Sequence, residues 1–211
     1  MAEAPGVCAV KIQPQAEGPD GEGERFLALV PPAQMVEALR PKPGQRFLDV
    51  GCGSGTFFFP VFEAMGGQGV FLAAEWQEDR LRRFLTRLET YAEHPGYTRI
   101  EVVRSKPDRL PLPDHCSDVV LLARAYHRLN DRPAYLRELR RLLSPGGTLC
   151  LLDWRPPGED ASVAAESQPL GPAFSDRISE HQAAQELANA GFPWVVAHGG
   201  FTQHWCLTVR I

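Results

Sequence analysis

Two kinds of hydrophobic pattern alternate along this chain. Short, largely apolar runs fall at residues 47–50, 69–75, 99–104, 117–123 and 148–154. Their length and content predict strands, and runs apolar at almost every position suit strands covered on both faces. Between them lie amphipathic stretches. Residues 78–91 place Leu81, Phe84, Leu85 and Leu88 at i, i+3, i+4 and i+7, a single helical stripe. Its arginines, Arg80, Arg82, Arg83 and Arg87, read as the solvated face. Asn130-Asp131-Arg132-Pro133 opens a helix with Leu136, Leu139, Leu142 and Leu143 along one side, and Ser144-Pro145-Gly146-Gly147 ends it. Ser179-x-x-Gln182 predicts a capping box with Ile178 as its staple, for a helix stopping at Gly191.

Strand and helix in alternation predict an α/β fold, a doubly wound Rossmann-like sheet of seven strands. The last strands, at 194–197 and 204–210, are joined by a connection at Gly199-Gly200 too short for a crossover. They must pair antiparallel, so the sheet is mostly parallel with an antiparallel C-terminal strand. Residues 31–39 carry a short helical pattern ahead of the first strand, and a helix of about three turns is expected to follow the 51–55 loop as far as Met65. Residues 1–24, rich in Gly, Pro, Glu and Ala, read as a flexible N-terminal arm with a short extended piece at 7–12. Residues 25–211 read as one domain, and the Pro/Gly-rich stretch 155–178 as a lid-like loop.

Composition narrows the class. The 211 residues suffice for one domain with a substantial core, and a net charge of −4 offers no general attraction to nucleic acid or anionic lipid. No apolar run is long enough to span a bilayer and no basic-then-apolar leader opens the chain, so a cytoplasmic location is expected. Cys8, Cys52, Cys116, Cys150 and Cys206 form no CxxC pair, which argues against a disulfide framework or a zinc site. His204 and Cys206 share a strand face without further ligands, so no metal is expected. Arginine well in excess of lysine, with frequent proline, fits a thermophile or a GC-rich genome.

The chemistry-bearing stretch is Phe47-Leu48-Asp49-Val50-Gly51-Cys52-Gly53-Ser54-Gly55. A strand that runs into a loop with glycine at every second position lets a ligand lie against the backbone. A dinucleotide fingerprint needs G-x-G-x-x-G, and the two frames available put Thr56 or Phe58 at the third glycine. A phenylalanine there would obstruct a pyrophosphate. The loop instead reads acid-x-Gly-x-Gly-x-Gly, with Glu75 ending the next strand where a carboxylate can accept from ribose hydroxyls.

Over residues 31–211 the chain resembles class I S-adenosylmethionine-dependent methyltransferases, and most of all the small-molecule branch that includes the ubiquinone/menaquinone-biosynthesis C-methyltransferases. The matching pieces are Leu48–Gly55, Glu75, Leu110-Pro111-Leu112-Pro113-Asp114 with Ser117-Asp118-Val119-Val120, and Leu139–Gly147. The resemblance implies S-adenosyl-L-methionine as cofactor. Gly51, Cys52, Gly53 and Gly55 would cradle its methionine end, Asp49 would fix the loop and reach the amino group, and Glu75 would take the ribose. Trp76 would either lie against the adenine or simply pack. The backbone of Arg124 would approach the methionine moiety. One position departs from the family: Ser105-Lys106-Pro107 stands where Gly-Asp-Ala is common. Lys106 has only donors and cannot accept from the adenine amino group, so either Asp108 substitutes or backbone groups hold the base.

Methyl transfer needs chiefly a positioned nucleophile and the exclusion of water. Where the acceptor must lose a proton, His127 in Ala123-Arg124-Ala125-Tyr126-His127-Arg128 is the candidate base, its other reading being a residue that shapes the pocket. Tyr126 and Asp153 are further candidates for contact with the acceptor, since open α/β sheets bind beyond the carboxyl ends of their strands. The Asn/Asp-Pro-Pro-aromatic signature of enzymes that methylate amino groups on bases is absent, which favours a small molecule over nucleic acid. A monomer or homodimer is expected. The alternative to an enzyme is a catalytically silent protein of the same fold that binds S-adenosylmethionine or a related nucleoside.

Overall fold

The computed structural model describes residues 29–106, 109–158 and 171–211. The expected N-terminal arm, Asp108 and half of the expected lid lie outside these residues. Seven strands form one sheet: β1 (Arg46–Val50), β2 (Val70–Glu75), β3 (Ile100–Arg104), β4 (Ser117–Ala123), β5 (Leu143–Trp154), β6 (Val196–His198) and β7 (His204–Arg210). Their spatial order is β3-β2-β1-β4-β5-β7-β6. β7 alone runs against its neighbours, antiparallel to both β5 and β6, as the short final connection requires. From β1 the chain winds outward through β2 and β3, then returns to place β4 on the other side of β1. The topological switch point therefore lies between the carboxyl ends of β1 and β4, where a crevice opens.

Side chains alternate across each strand, and each face of the sheet has its own core. Phe47, Phe71, Val119, Leu121, Cys150 and Leu152 face α1 (Pro32–Leu39), α2 (Phe58–Ala64) and α3 (Glu78–Glu89). Leu48, Val50, Leu72, Val120, Leu122, Leu149 and Leu151 face α4 (Arg132–Leu142) and α5 (Glu180–Asn189). The first core is unusually aromatic: Phe58 packs on Phe47, Phe59, Phe71 and Phe84 with ring centroids between 5.0 and 6.4 Å apart.

Several local expectations are corrected. α2 has two turns, not three, because residues 51–57 remain in turns and the helix starts only when Phe58 drops into the core. Phe58 is fully buried beneath the loop and obstructs nothing above it. β5 begins at Leu143, and the Ser144–Gly147 turn is carried as an irregularity in its pairing with β4, tied down by Gly146 N–H to the Ile211 carbonyl at 2.7 Å. Half of the capping box forms: Ser179 Oγ accepts from Gln182 N at 3.0 Å, while the Gln182 amide turns forward to Glu186. Ile178 packs against the core and its carbonyl accepts from Trp205 Nε1 at 2.7 Å.

Candidate functional site

A cavity of about 640 Å³ opens at the switch point. The loop after β1 forms its floor through Asp49, Gly51, Cys52, Gly53 and Ser54, and Phe57 closes one end. The segment after β4 contributes Arg124, His127 and Arg128, β5 contributes Trp154, and α3 contributes Arg80 and Arg83. The returning limb of the expected lid completes the wall with Gly171, Pro172 and Asp176. Gly171 rests on the Trp154 indole, and Arg177 covers the same ring at 5.1 Å, so this limb is anchored to the end of β5.

The glycine loop is held by the neighbouring strand. Gly51 N–H and Cys52 N–H both donate to the Ala74 carbonyl, at 2.8 and 3.1 Å. Glu75, 1% exposed, gathers three backbone donors: Gly53 N–H at 2.9 Å, Trp76 N–H at 2.7 Å and Gln77 N–H at 2.8 Å. Glu75 thus builds the loop as well as standing at the expected ribose position. It does not itself line the cavity. Asp49, 2% exposed, does line it, and its carboxyl is pushed up to about 8 by burial and then by the nearby Glu75 charge. Burial likewise raises the Cys52 thiol well above its ordinary value. Trp76 lies outside the cavity lining, its indole 3.0 Å from where a Cβ on Gly51 would stand, and packs against the α4 side of the core.

Whether these residues suit S-adenosylmethionine can be read from the open space and the unused polar atoms. Gly53 has φ +59, and a Cβ added there would meet nothing closer than 4.0 Å, so its face is an open cradle. At the carboxyl end of β3 the Ser105 hydroxyl is buried without a partner among the described residues, next to the strand end that carries Glu75. The Asp49 carboxyl on the floor can ionise against a cationic sulfonium or ammonium, and a free hydroxyl can serve an adenine edge. The group fits. Lys106 is exposed, and the backbone link it makes is with Arg109, N–H to carbonyl at 3.1 Å. Its side chain faces outward, and the unpartnered Ser105 hydroxyl is the better placed neighbour.

The second half of the site is a His–Asp pair. His127 sits in a single 3₁₀ turn, Tyr126–Arg128, and its Nδ1 lies 2.8 and 3.0 Å from the two carboxylate oxygens of Asp153 at the end of β5. Asp153 also accepts from the backbone N–H of His127 at 2.8 Å and from that of Trp154 at 2.8 Å, which fixes the carboxylate in place. The two side chains are 6% and 1% exposed. Arg128 Nε lies 3.4 Å from His127 Nε2. An arginine N–H only donates, so Nε2 carries a lone pair and Nδ1 the proton. Asp153 is thereby the orienting partner of His127.

Tyr126 turns the other way. It is fully buried, its hydroxyl donates to Glu186 on α5, and its ring packs edge-on to Trp205. Glu186 also receives Arg132 Nε and Nη2, both at 2.9 Å. The Tyr126 hydroxyl is thus held in a network that docks α5 on the sheet, outside the cavity lining.

Arg124 contributes more than its backbone. Its φ of +54 is a strained conformation for a non-glycine residue, and it directs a guanidinium into the cavity wall. Nε donates to His204 Nε2 at 3.1 Å, and the group lies 5.6 Å from the Phe57 ring and 5.3 Å from that of Trp154. Burial lowers its pKa to about 10. Burial, then Arg124, Arg177 and Arg155, lower the fully buried His204 to about 2. His204 and Cys206 do share a face, but each pairs elsewhere: His204 with Arg124, Cys206 with Cys150 at 3.6 Å.

Sequence reasoning missed the arginine wall. Of the four arginines assigned to the solvated face of α3, Arg80 and Arg83 line the cavity. Arg87 donates to the Gly55 carbonyl at 3.3 Å and covers the Phe59 ring at 4.6 Å. Arg82 remains outward, paired with Glu78 at 3.5 Å. Arg128, next to the expected base, carried no separate signal.

Comparison with known proteins agrees with this geometry. Residues 48–151 match a family described as a methyltransferase domain. The ubiquinone/menaquinone biosynthesis C-methyltransferase UbiE of Shewanella frigidimarina is 26% identical over 122 residues, 58% of this chain and 47% of that protein. The chain thus spans about half the length of the curated relatives it matches. Among solved structures, a SAM-dependent methyltransferase from Aquifex aeolicus superimposes with TM-score 0.75 at 23% identity, covering 92% of this chain and 100% of that one. The methyltransferase CalH in complex with SAH superimposes with TM-score 0.67 at 19% identity over 92% of this chain and 60% of that one. The shared sheet, the glycine loop and these matches support a class I S-adenosylmethionine-dependent methyltransferase that resembles the UbiE proteins.

Proposed function

We propose that this protein transfers the methyl group of S-adenosylmethionine to a small-molecule acceptor that gives up a proton, with His127 as the general base. The observation that carries this reading is the His127–Asp153 pair opening onto the same cavity as the glycine loop. Asp49, Gly51, Cys52 and Gly53 would hold the cofactor along the floor, Glu75 would support the loop and meet the ribose, and Ser105 would serve the adenine end. The cofactor supplies a methyl group already activated by its sulfonium.

His127 Nε2, held as the lone-pair nitrogen, takes the proton that the acceptor's nucleophilic atom loses as it bonds to the methyl carbon. Asp153 keeps the ring in that tautomer and stabilises the imidazolium that results. Trp154 and the 171–176 limb shield the reacting atoms from water. The net charge of −4 supports a small acceptor over nucleic acid, and the same reading has the enzyme work in the cytoplasm as a monomer or homodimer.

The test is calorimetry with S-adenosylhomocysteine, followed by release of that product on incubation with S-adenosylmethionine and a metabolite extract. His127→Gln is expected to cut turnover by about 10²–10⁴-fold while product affinity stays within twofold. Unchanged turnover would refute the base, and failure of the wild type to bind S-adenosylhomocysteine would refute the cofactor. Binding without turnover in the wild type would leave the silent binding protein.

A further inference from the structure

Several arginines outside the cavity are matched to carboxylates. Arg46 pairs with Asp118 at 2.6 Å, Arg132 with Glu186 at 2.9 Å, and Arg141 with Asp114 at 2.6 Å and Glu138 at 2.7 Å. Four guanidinium side chains, Arg80, Arg83, Arg124 and Arg128, line the cavity with the carboxylates Asp49 and Asp176, while Glu75 favours the charge on Arg80 and Asp153 that on Arg124. Burial and Glu75 favour the neutral form of Asp49, and Asp176 is exposed and takes its hydrogen bond from Ser175.

Arg80 and Arg128 are the decisive pair. Half-buried Arg80 makes no hydrogen bond or ion pair among the described residues, and its Nη1 stands at the open face of Gly53. Among the described residues Arg128 has one side-chain polar partner, the base nitrogen of His127. The two are close enough that, after burial, Arg128 is the largest influence disfavouring the charge on Arg80. Like charges held together on the wall of a cavity, in a chain of net charge −4, are stabilised when an anion lies between them.

We propose that Arg80 and Arg128 receive an anionic group of the methyl acceptor, a carboxylate or a phosphate, and so seat its reacting atom at His127 Nε2. This rests on the functional reading above and names the substrate class of the same site. The cofactor's own carboxylate is the other anion that could reach this wall, but Arg128 touches the base and not the glycine loop, which favours the acceptor. A guanidinium pair also provides the forked donors that planar or tetrahedral oxyanions prefer.

The experiment uses the full chain. S-Adenosylhomocysteine affinity is measured first; the saturated protein is then titrated at constant ionic strength with inorganic phosphate and, separately, with benzoate. The wild type is expected to bind at least one of the two anions, and the stronger one identifies phosphate or carboxylate. Arg80→Gln and Arg128→Gln should each weaken that binding at least tenfold, and Arg128→Gln, away from the glycine loop, should keep S-adenosylhomocysteine affinity within twofold of the wild type. Arg82→Gln, on the outward face of α3, should leave it unchanged, and Arg128→Lys should restore part of it. Failure of the saturated wild type to bind either anion, or binding unaffected by both glutamine variants, overturns the proposal. A parallel loss of S-adenosylhomocysteine affinity in Arg128→Gln also overturns it, by assigning the wall to the cofactor. A wild type that binds no S-adenosylhomocysteine fails at the earlier step and removes the functional reading itself.

Discussion

Replacing Asp49 by Asn is expected to make the ligand-free protein more stable and less able to hold its cofactor. The Asp49 carboxyl is pushed from 3.8 up to about 8, first by burial and then by Glu75. At about 1.4 kcal/mol per unit, this is on the order of 6 kcal/mol of folding free energy set against an ionised Asp49. The folded-state value lies above the unfolded one, so below pH 3.8 both states hold the proton and the group has no effect. As pH rises the unfolded chain loses its proton first. Stability therefore falls until the folded carboxyl itself titrates near pH 8. His204, lowered to about 2, works in the opposite direction and stops contributing above 6.5, which leaves pH 6.5–8 as the clean window. Over that window the Asp49 contribution changes by about 2 kcal/mol. Urea unfolding followed by circular dichroism at pH 6.5 and 8.0 reads it directly. The stability gap between Asp49→Asn and wild type should widen by about 2 kcal/mol from the lower to the higher pH, and a constant gap would refute the argument. Binding supplies an independent arm: a cationic ligand beside Asp49 favours its ionised form, so calorimetry at pH 7 in buffers of different ionisation enthalpy should show about one proton released.

Other perturbations separate building the site from using it. Glu75→Ala removes the acceptor for three backbone donors and should lower both the melting temperature and S-adenosylhomocysteine affinity, the latter more than tenfold; affinity within twofold would end the ribose assignment. Gly53→Ala costs about 1 kcal/mol for its positive φ, yet should abolish detectable cofactor binding because it fills the open cradle. Gly55→Ala is the converse: its Cβ would come within 2.3 Å of Phe59, so thermal melts should show the larger loss, about 2–4 kcal/mol. Burial alone would raise Glu186, but Arg132, Tyr126 and Gln182 together bring it to about 2. Its contribution is present above pH 4.5 and lost as pH falls toward 2, and Arg132→Met should flatten that acid limb in denaturation at pH 3 and 5.

The fold was legible because its signals are local and redundant. The runs at 117–123 and 204–210 are strands at those same bounds, and breakers separate nearly every element. Where boundaries moved, a tertiary contact decided them. The Ser144–Gly147 turn stays within β5 because the chain terminus clamps it, and α2 is short because Phe58 is drawn under the loop. Asp49, Gly51, Cys52, Gly53, Arg124 and His127 do come together in one cavity, while Trp76 and Tyr126 turn away from it. The pairing of His127 with Asp153 joins residues 26 apart in sequence, and only the parallel register of β4 on β5 brings them within hydrogen-bond reach.

The arginines of α3 show why the rest of the site was not legible. Helical periodicity separates the positions that face the core from those that do not, and Phe84 and Leu88 are buried as the pattern requires. It is silent on what the remaining face meets. Arg82 meets water and Arg80 a ligand cavity, although two positions separate them, because the first turn of α3 overhangs the crevice at the switch point while the outer side does not. A charged residue on such a helix is therefore interpretable only once the strand order is known, since that order decides which helix ends border the crevice. In a sheet wound β3-β2-β1-β4, the ends that follow β1, β2 and β4 do so. In this protein they are the ends that carry the glycines, Arg80 and His127.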